Sequence, residues 1–188
     1  MFRTSRIFSR FALLSALAAL AACATDAASP DQVMHALTPE QIATLHVTDI
    51  SGEVQSGVAM TQFELDHVVE LVKSHMTRDL PQVMTAANDN GASKTTMIKI
   101  VVTEYDEGNA VARFMLAGIG QIKLGGDVIF VDKATGQEIG RYKLSKQFAF
   151  GGIYGGLTRM QDVEEGFAKS VVEIVREKKA EILRGKKA

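Results

Sequence analysis

A single cysteine, Cys23, stands among the 188 residues. No disulfide can form within one chain, so the fold must rest on an apolar core. Metal-binding spacings are missing too: there is no H-E-x-x-H, no C-x-x-C and no EF-hand pattern. The four histidines are His35, His46, His67 and His75, and the last two lie eight residues apart on one expected helix, too far to share a metal. No G-x-S-x-G elbow presents a serine nucleophile. The glycine-rich stretch FMLAGIGQIKLGG looks at first like a phosphate cradle. However, Gly118-x-Gly120 follows an expected helix and precedes an expected strand, the reverse of the order a phosphate loop needs. There is no basic excess: 21 Lys and Arg meet 22 Asp and Glu, for a net charge of −1. That balance argues against nucleic acid as a partner. Finally, no apolar run reaches the roughly 20 residues of a membrane-spanning helix.

What is present begins at the front. MFRTSRIFSR carries Arg3, Arg6 and Arg10 and no acid, and the uncharged run FALLSALAALAA follows, from Phe11 to Ala22. A basic start, a short apolar run without a polar face and small residues at its end make a secretory signal peptide. The run closes on Leu20-Ala21-Ala22-Cys23, which resembles the lipobox of bacterial lipoproteins. The resemblance implies cleavage between Ala22 and Cys23, a diacylglyceryl thioether on the Cys23 sulfur and an acyl chain on the new amino terminus. It implies no other cofactor. Each buried acyl CH₂ contributes roughly 0.8 kcal/mol, so two or three chains hold a protein on a bilayer essentially permanently. Ala24 stands where an acid would retain a lipoprotein on the inner membrane. The expected location is therefore the outer membrane, lipid-anchored and facing the periplasm.

Cleavage would leave 166 residues, and loss of the three arginines takes the basic count from 21 to 18 against 22 acids, a net charge of about −4. That is one domain of ordinary size. The expected boundaries are a signal peptide over 1–22, the lipidated cysteine and a tether over 23–40, a folded domain over 41–183 and a basic tail over 184–188. Ser29-Pro30 and Thr38-Pro39 are helix-start signals. LHVTDI, Leu45 to Ile50, alternates as a strand that ends at Ser51-Gly52. Thr61-x-x-Glu64 is a capping box, with Leu65, Val68, Val69, Val72 and Met76 on one helical face behind it, up to about Leu80. Thr96 to Tyr105 is a second strand, and Asn109 caps a short helix, AVARFMLAG. A hairpin follows, with GDVIFVD and Glu138 to Phe150 as its strands and Thr135-Gly136 at its turn. Asp132 accepts backbone hydrogen bonds in that turn, and Gly140 marks a bulge or a close backbone approach. Thr158-x-x-Gln161 opens the last helix, with Met160, Val163, Phe167, Val171 and Ile174 on one side. The fold class is α+β: two main helices on a small mixed, largely antiparallel sheet, in a single domain.

Eleven of the sixteen glycines lie between Gly108 and Gly156, which suits turns, bulges and close packing. This stretch, with Arg113, Gly118, Gly120, Asp132, Thr135 and Gly136, resembles an uncharacterised family of bacterial lipoproteins catalogued only as a domain of unknown function. The resemblance implies an envelope lipoprotein and supplies no catalytic residue. The element order is also similar, at the level of fold, to periplasmic domains of the TolB amino-terminal and curli-secretion-lipoprotein type. The expected function is a non-catalytic interaction or assembly module with an unidentified envelope protein as partner. Its candidate contact surface is the loop bearing Phe150, Tyr154 and Leu157. The alternative is a ligand-binding or enzymatic site built from Arg113, Asp127 and Arg159, although Arg113 is as well placed to pair locally or to reach solvent. The basic end REKKAEILRGKKA reads as a solvated helix terminus that complements the helix dipole.

Overall fold

Strand β3 (Thr95–Asp106) shows how the molecule is layered. Thr96, Ile98, Ile100 and Val102 are buried while Met97, Lys99 and Val101 between them are half-exposed. One face of the sheet is therefore core and the other is uncovered, the expected result of a period of two. The structure, a computed structural model, describes residues 31–85, 95–116, 119–148 and 157–185. Its five-stranded sheet contains β1 (Gln32–His35), β2 (His46–Val54), β3, β4 (Ile122–Asp132) and β5 (Glu138–Phe148) in the order β1-β5-β4-β3-β2. Only β2 and β3 pair in parallel; the other three pairings are antiparallel.

Helix α1 (Pro39–Ala43) and helix α2 (Gln62–Asp79) both begin with capping boxes, from Thr38 to Gln41 and from Thr61 to Glu64. A single turn, α3 (Pro81–Met84), follows the break at Leu80. Helix α4 (Ala110–Met115) fills the β3–β4 connection. Helix α5 (Met160–Gly185) returns across the core. Leu65, Val68, Val72 and Met76 of α2 meet Val163, Phe167, Val171 and Ile174 of α5 over Ile98, Ile100, Val128 and Phe130 of the sheet in one apolar core. Tyr142 reaches through it: its ring stands edge-on to Phe130, 5.8 Å between centroids, and its hydroxyl accepts from the Leu37 N–H at 2.9 Å.

The α+β class and its principal elements are those the sequence implies, with three local departures. The segment expected as tether contributes the edge strand β1, where a helical turn after Pro30 was anticipated. Strand β2 runs through Ser51 and Gly52 to Val54, because these residues continue the parallel register opposite Lys99 and Ile100. Helix α5 starts at Met160, two residues beyond Thr158. Its first turn is closed by the Asp162 carboxylate, which accepts from the Arg159 N–H at 2.8 Å. Gly140 does sit beside a register shift between Phe130 and Val131, and a side chain there would press on Leu37.

Candidate functional site

Strands β2, β3 and β5 finish, and β4 begins, at one end of the sheet. The chain there folds into a closed loop. Asp106 accepts from the Gly108 N–H at 2.8 Å, and the Asn109 side chain caps α4 by accepting from the Ala112 N–H at 3.0 Å. The polarity of α4 is inverted. Its buried residue is Arg113, while Val111, Phe114 and Met115, spaced as one helical face, point outward. The Arg113 guanidinium donates to the carbonyls of Gly120 at 2.7 Å, Thr158 at 3.1 Å and Glu107 at 3.3 Å. It ties α4 to the start of β4 and to the approach to α5. This is not an arginine at a surface: three carbonyls replace the water that a buried guanidinium loses.

The uncovered sheet face carries ion pairs between neighbouring strands. Glu53 of β2 meets Lys99 of β3 at 2.7 Å, Glu104 of β3 meets Lys123 of β4 at 3.3 Å, and Asp127 of β4 meets Arg141 of β5 at 3.4 Å. Arg141 also holds Glu138 at 2.6 Å. Between them lies a shallow, open depression lined by Glu104, Gly125, Asp127, Lys143 and Ser145. Its two carboxylates, Glu104 and Asp127, are paired and part-exposed to water, an arrangement suited to solubility and register rather than to chemistry.

A third polar cluster links the two main helices. Glu164 of α5 is buried, accepts from the Tyr105 hydroxyl at 3.2 Å and faces His67 at 3.6 Å. Burial holds its carboxyl above the usual range, with His67 and the Tyr105 hydrogen bond acting in the opposite sense. Burial, then the nearby Glu164 charge, likewise pushes the Tyr105 phenol up. Eight residues beyond His67 on α2, His75 is buried and meets Glu165 at 2.9 Å, with Asp79 and Arg78 beside it; the His75 hydrogen bond lowers the Glu165 pKa. A shifted carboxyl can mark a catalytic acid, but Glu164 faces the helix–helix seam and lines none of the described depressions. Its position was visible in the sequence, since residue 164 falls between Met160 and Phe167 on the apolar stripe of α5.

The Glu164 shift has a definite consequence for stability. A raised folded-state pKa means that the protonated form is the one the fold favours. The contribution is complete below the unfolded value near 4.5 and is lost as pH rises through the folded value. Glu64 and Glu165 are held low and act in the opposite direction, weakening the fold as pH falls. Glu164→Gln should therefore leave acid unfolding in place while removing one loss of stability between pH 4.5 and neutrality. Urea unfolding of both chains across that range checks it. An unchanged difference at every pH would mean that Glu164 is not the group responsible.

Of the residues singled out from the sequence, Cys23, Phe150 and Tyr154 lie outside the described residues, as does Gly118. Leu157 is described and strongly exposed. Arg113, Asp127 and Arg159 do not form a common site. Arg113 is engaged with backbone carbonyls and Asp127 with Arg141 on the uncovered face. Arg159 is an exposed residue whose N–H closes the first turn of α5. Asp132 behaves as expected, accepting from the Ala134 and Thr135 N–H groups at 2.9 and 3.2 Å. The basic helix end is partly paired: Arg176 holds Glu173 at 2.6 Å and Lys178 holds Glu181 at 2.9 Å. Among the described residues no group of three or more potential ligands could hold a metal ion, and no helix is long and apolar enough to cross a membrane.

The loop, Arg113 itself and the Asp132 hairpin fall within residues 33–152, which match the family described as Domain of unknown function (DUF4410). The chain belongs to that family. The match takes in Arg113, Gly118, Gly120, Asp132, Thr135 and Gly136, the positions on which the resemblance in the sequence rests. No curated protein matches the chain. Among solved structures it is similar to a PelC dodecamer from Paraburkholderia phytofirmans, at 9% identity and a TM-score of 0.46 over 78% of this chain and 94% of that one. It is also similar to a minor lipoprotein from Acinetobacter baumannii, at 13% identity and a TM-score of 0.29 over 74% of this chain and 91% of that one. Neither likeness assigns a role to this DUF4410 chain.

Proposed function

We propose that this DUF4410 protein is a lipid-anchored protein of the cell envelope, held on the periplasmic side of the outer membrane, that binds another envelope protein and carries out no catalysis. The observation that carries the reading is Leu20-Ala21-Ala22-Cys23 behind a basic, then apolar, leader. The fold is compatible with a binding role. Among the described residues the sheet is covered on one face only, and β2 pairs with β3 alone, with no strand on its outer edge along His46–Val54. An extended segment of a partner can add to such an edge by backbone hydrogen bonds. The described charged groups largely neutralise one another in pairs, which suits a recognition surface better than a reactive centre.

Two measurements on cells test the two halves. Cys23→Ser should move the protein out of the membrane fraction after carbonate washing, and mass spectrometry of the parent should find the acylated amino-terminal cysteine. A C23S chain that stays in the washed membrane overturns the anchor. A photocrosslinker at the exposed Thr48 or Asp49 of β2 should capture one discrete envelope protein. Capture of nothing at either position overturns the binding role.

A further inference from the structure

Nine large apolar side chains are exposed among the described residues, and seven of them gather at one end of the molecule. Val111, Phe114, Met115, Leu116 and Ile119 belong to α4 and the loop after it, and Leu157 lies beside the Thr158 carbonyl that Arg113 holds. Phe63 stands at the start of α2, which follows β2 at the same end. The two exceptions, Val33 and Met34, lie on the edge strand β1. At the opposite end the turn residues Lys133 to Gln137 are polar or small and exposed, and the basic end of α5 lies there with Arg184. Apart from β1, the large apolar exposure among the described residues is thus gathered at one pole. A patch of this kind on a protein otherwise lined with paired charges marks a contact surface.

The path of the chain says what it contacts. β1 is antiparallel to β5, with Gln32 opposite Lys143, and β5 runs five residues further to Phe148 at the apolar pole. The incoming end of β1 therefore faces that pole. Five strand residues cover about 17 Å. Eight residue steps separate Cys23 from Asp31, a reach of at most about 28 Å. A lipid on Cys23 is consequently tied within that reach of the incoming end of β1, which faces the exposed α4 face. The clamp by Arg113 keeps that face outward, since the polar side of α4 is already engaged inside the protein.

We infer that the apolar pole is a second membrane contact: Val111, Phe114, Met115, Leu116, Ile119 and Leu157 insert into the interfacial region of the bilayer that holds the lipid anchor. The inference rests on the lipoprotein reading. Its consequence is a fixed orientation. The hydrogen-bonding edge of β2 and the charged sheet face stand at right angles to the membrane, and the basic end of α5 points away from it, so that terminus is not the lipid contact. Side chains inserted this way sit about 5–10 Å into the headgroup and acyl boundary.

The chain has no tryptophan, so one introduced indole reports on its own position. The acylated mature protein carrying Phe114→Trp is reconstituted into vesicles of phosphatidylethanolamine and phosphatidylglycerol, with and without brominated acyl chains. The emission of the F114W protein should be shifted to the blue and quenched about twofold or more by the brominated lipid, as expected for an indole at the acyl boundary. The T135W protein, labelled at the opposite pole, should be red-shifted and unquenched. Equal, unquenched emission from both overturns the inference, and blue-shifted but unquenched F114W emission does so in favour of a second copy or a protein partner on the patch. Mass spectrometry of the same sample separates the two readings. An unacylated Cys23 overturns the anchor and the insertion with it; an acylated chain with unquenched F114W overturns the insertion alone.

Discussion

Gly120→Ala should destabilise the fold by about 3 kcal/mol or more, among the largest effects of any single-methyl addition. Two separate costs combine at this position. Its φ is +71°, a region where a Cβ is strained. The added carbon would also overlap the Asn109 backbone carbonyl, with the Ala112 Cβ at 3.0 Å and the Asn109 nitrogen at 3.1 Å. Relief is blocked because the Gly120 carbonyl accepts from both the Asn109 N–H at 3.2 Å and Arg113 at 2.7 Å. Gly108 faces it across the neck of the loop and would meet the carbonyls of Gly120 and Gln121. Gly136→Ala separates the costs. Its φ is +70° but nothing lies within 4 Å of the added carbon, so it should lose only about 1 kcal/mol. Chemical denaturation of the two variants checks the pair. Equal losses would mean that backbone conformation alone, and not the closed neck, requires glycine at 120.

That result gives the glycine-rich stretch a physical role. It looked like a phosphate cradle because glycines bring a backbone close to something. At Gly108 and Gly120 the something is the chain itself, and the absence of a helix after the glycines was the legible clue. Other features were legible for similar reasons. Thr38 and Thr61 announce helices by side-chain chemistry that acts within three residues, and Asp132 does the same for its turn. Local hydrogen bonding can be read locally. What could not be read depended on distant partners. β1 contains the exposed Val33 and Met34 and owes its existence to backbone bonds with β5, over a hundred residues away. The start of α5 shifted because Asp162 captured the Arg159 N–H while the Thr158 carbonyl was taken by Arg113. The inversion of α4 was hidden most thoroughly. Apolar periodicity tells which side chains share a face, and the usual assumption that this face turns inward fails when an arginine has three carbonyls waiting for it.

Arg113→Ala should cost about 3–4 kcal/mol, and Arg113→Lys most of that, because the loss is of partners rather than of charge alone. The guanidinium reaches carbonyls in three separate segments, at Glu107, Gly120 and Thr158. Alanine leaves a buried void and removes the guanidinium donor from all three acceptors, of which the Gly120 carbonyl keeps the Asn109 N–H. An ammonium brings three donors from one point and cannot match a planar fork that reaches an acceptor 45 residues along the chain from Arg113 as well as two nearby. The effect should also be local in a way that distinguishes it from core damage. Amide exchange should quicken over residues 107–121 and at the first turn of α5, while the amides of β3 and β4 beyond Leu124 keep most of their protection, since these strands are held by their own ladder. If the apolar face of α4 is the membrane contact, R113A should further lose the insertion of Phe114 while keeping the acyl anchor. Uniform loss of protection across the sheet would instead make Arg113 a general support of the core, and α4 would then owe its outward face to something other than this clamp.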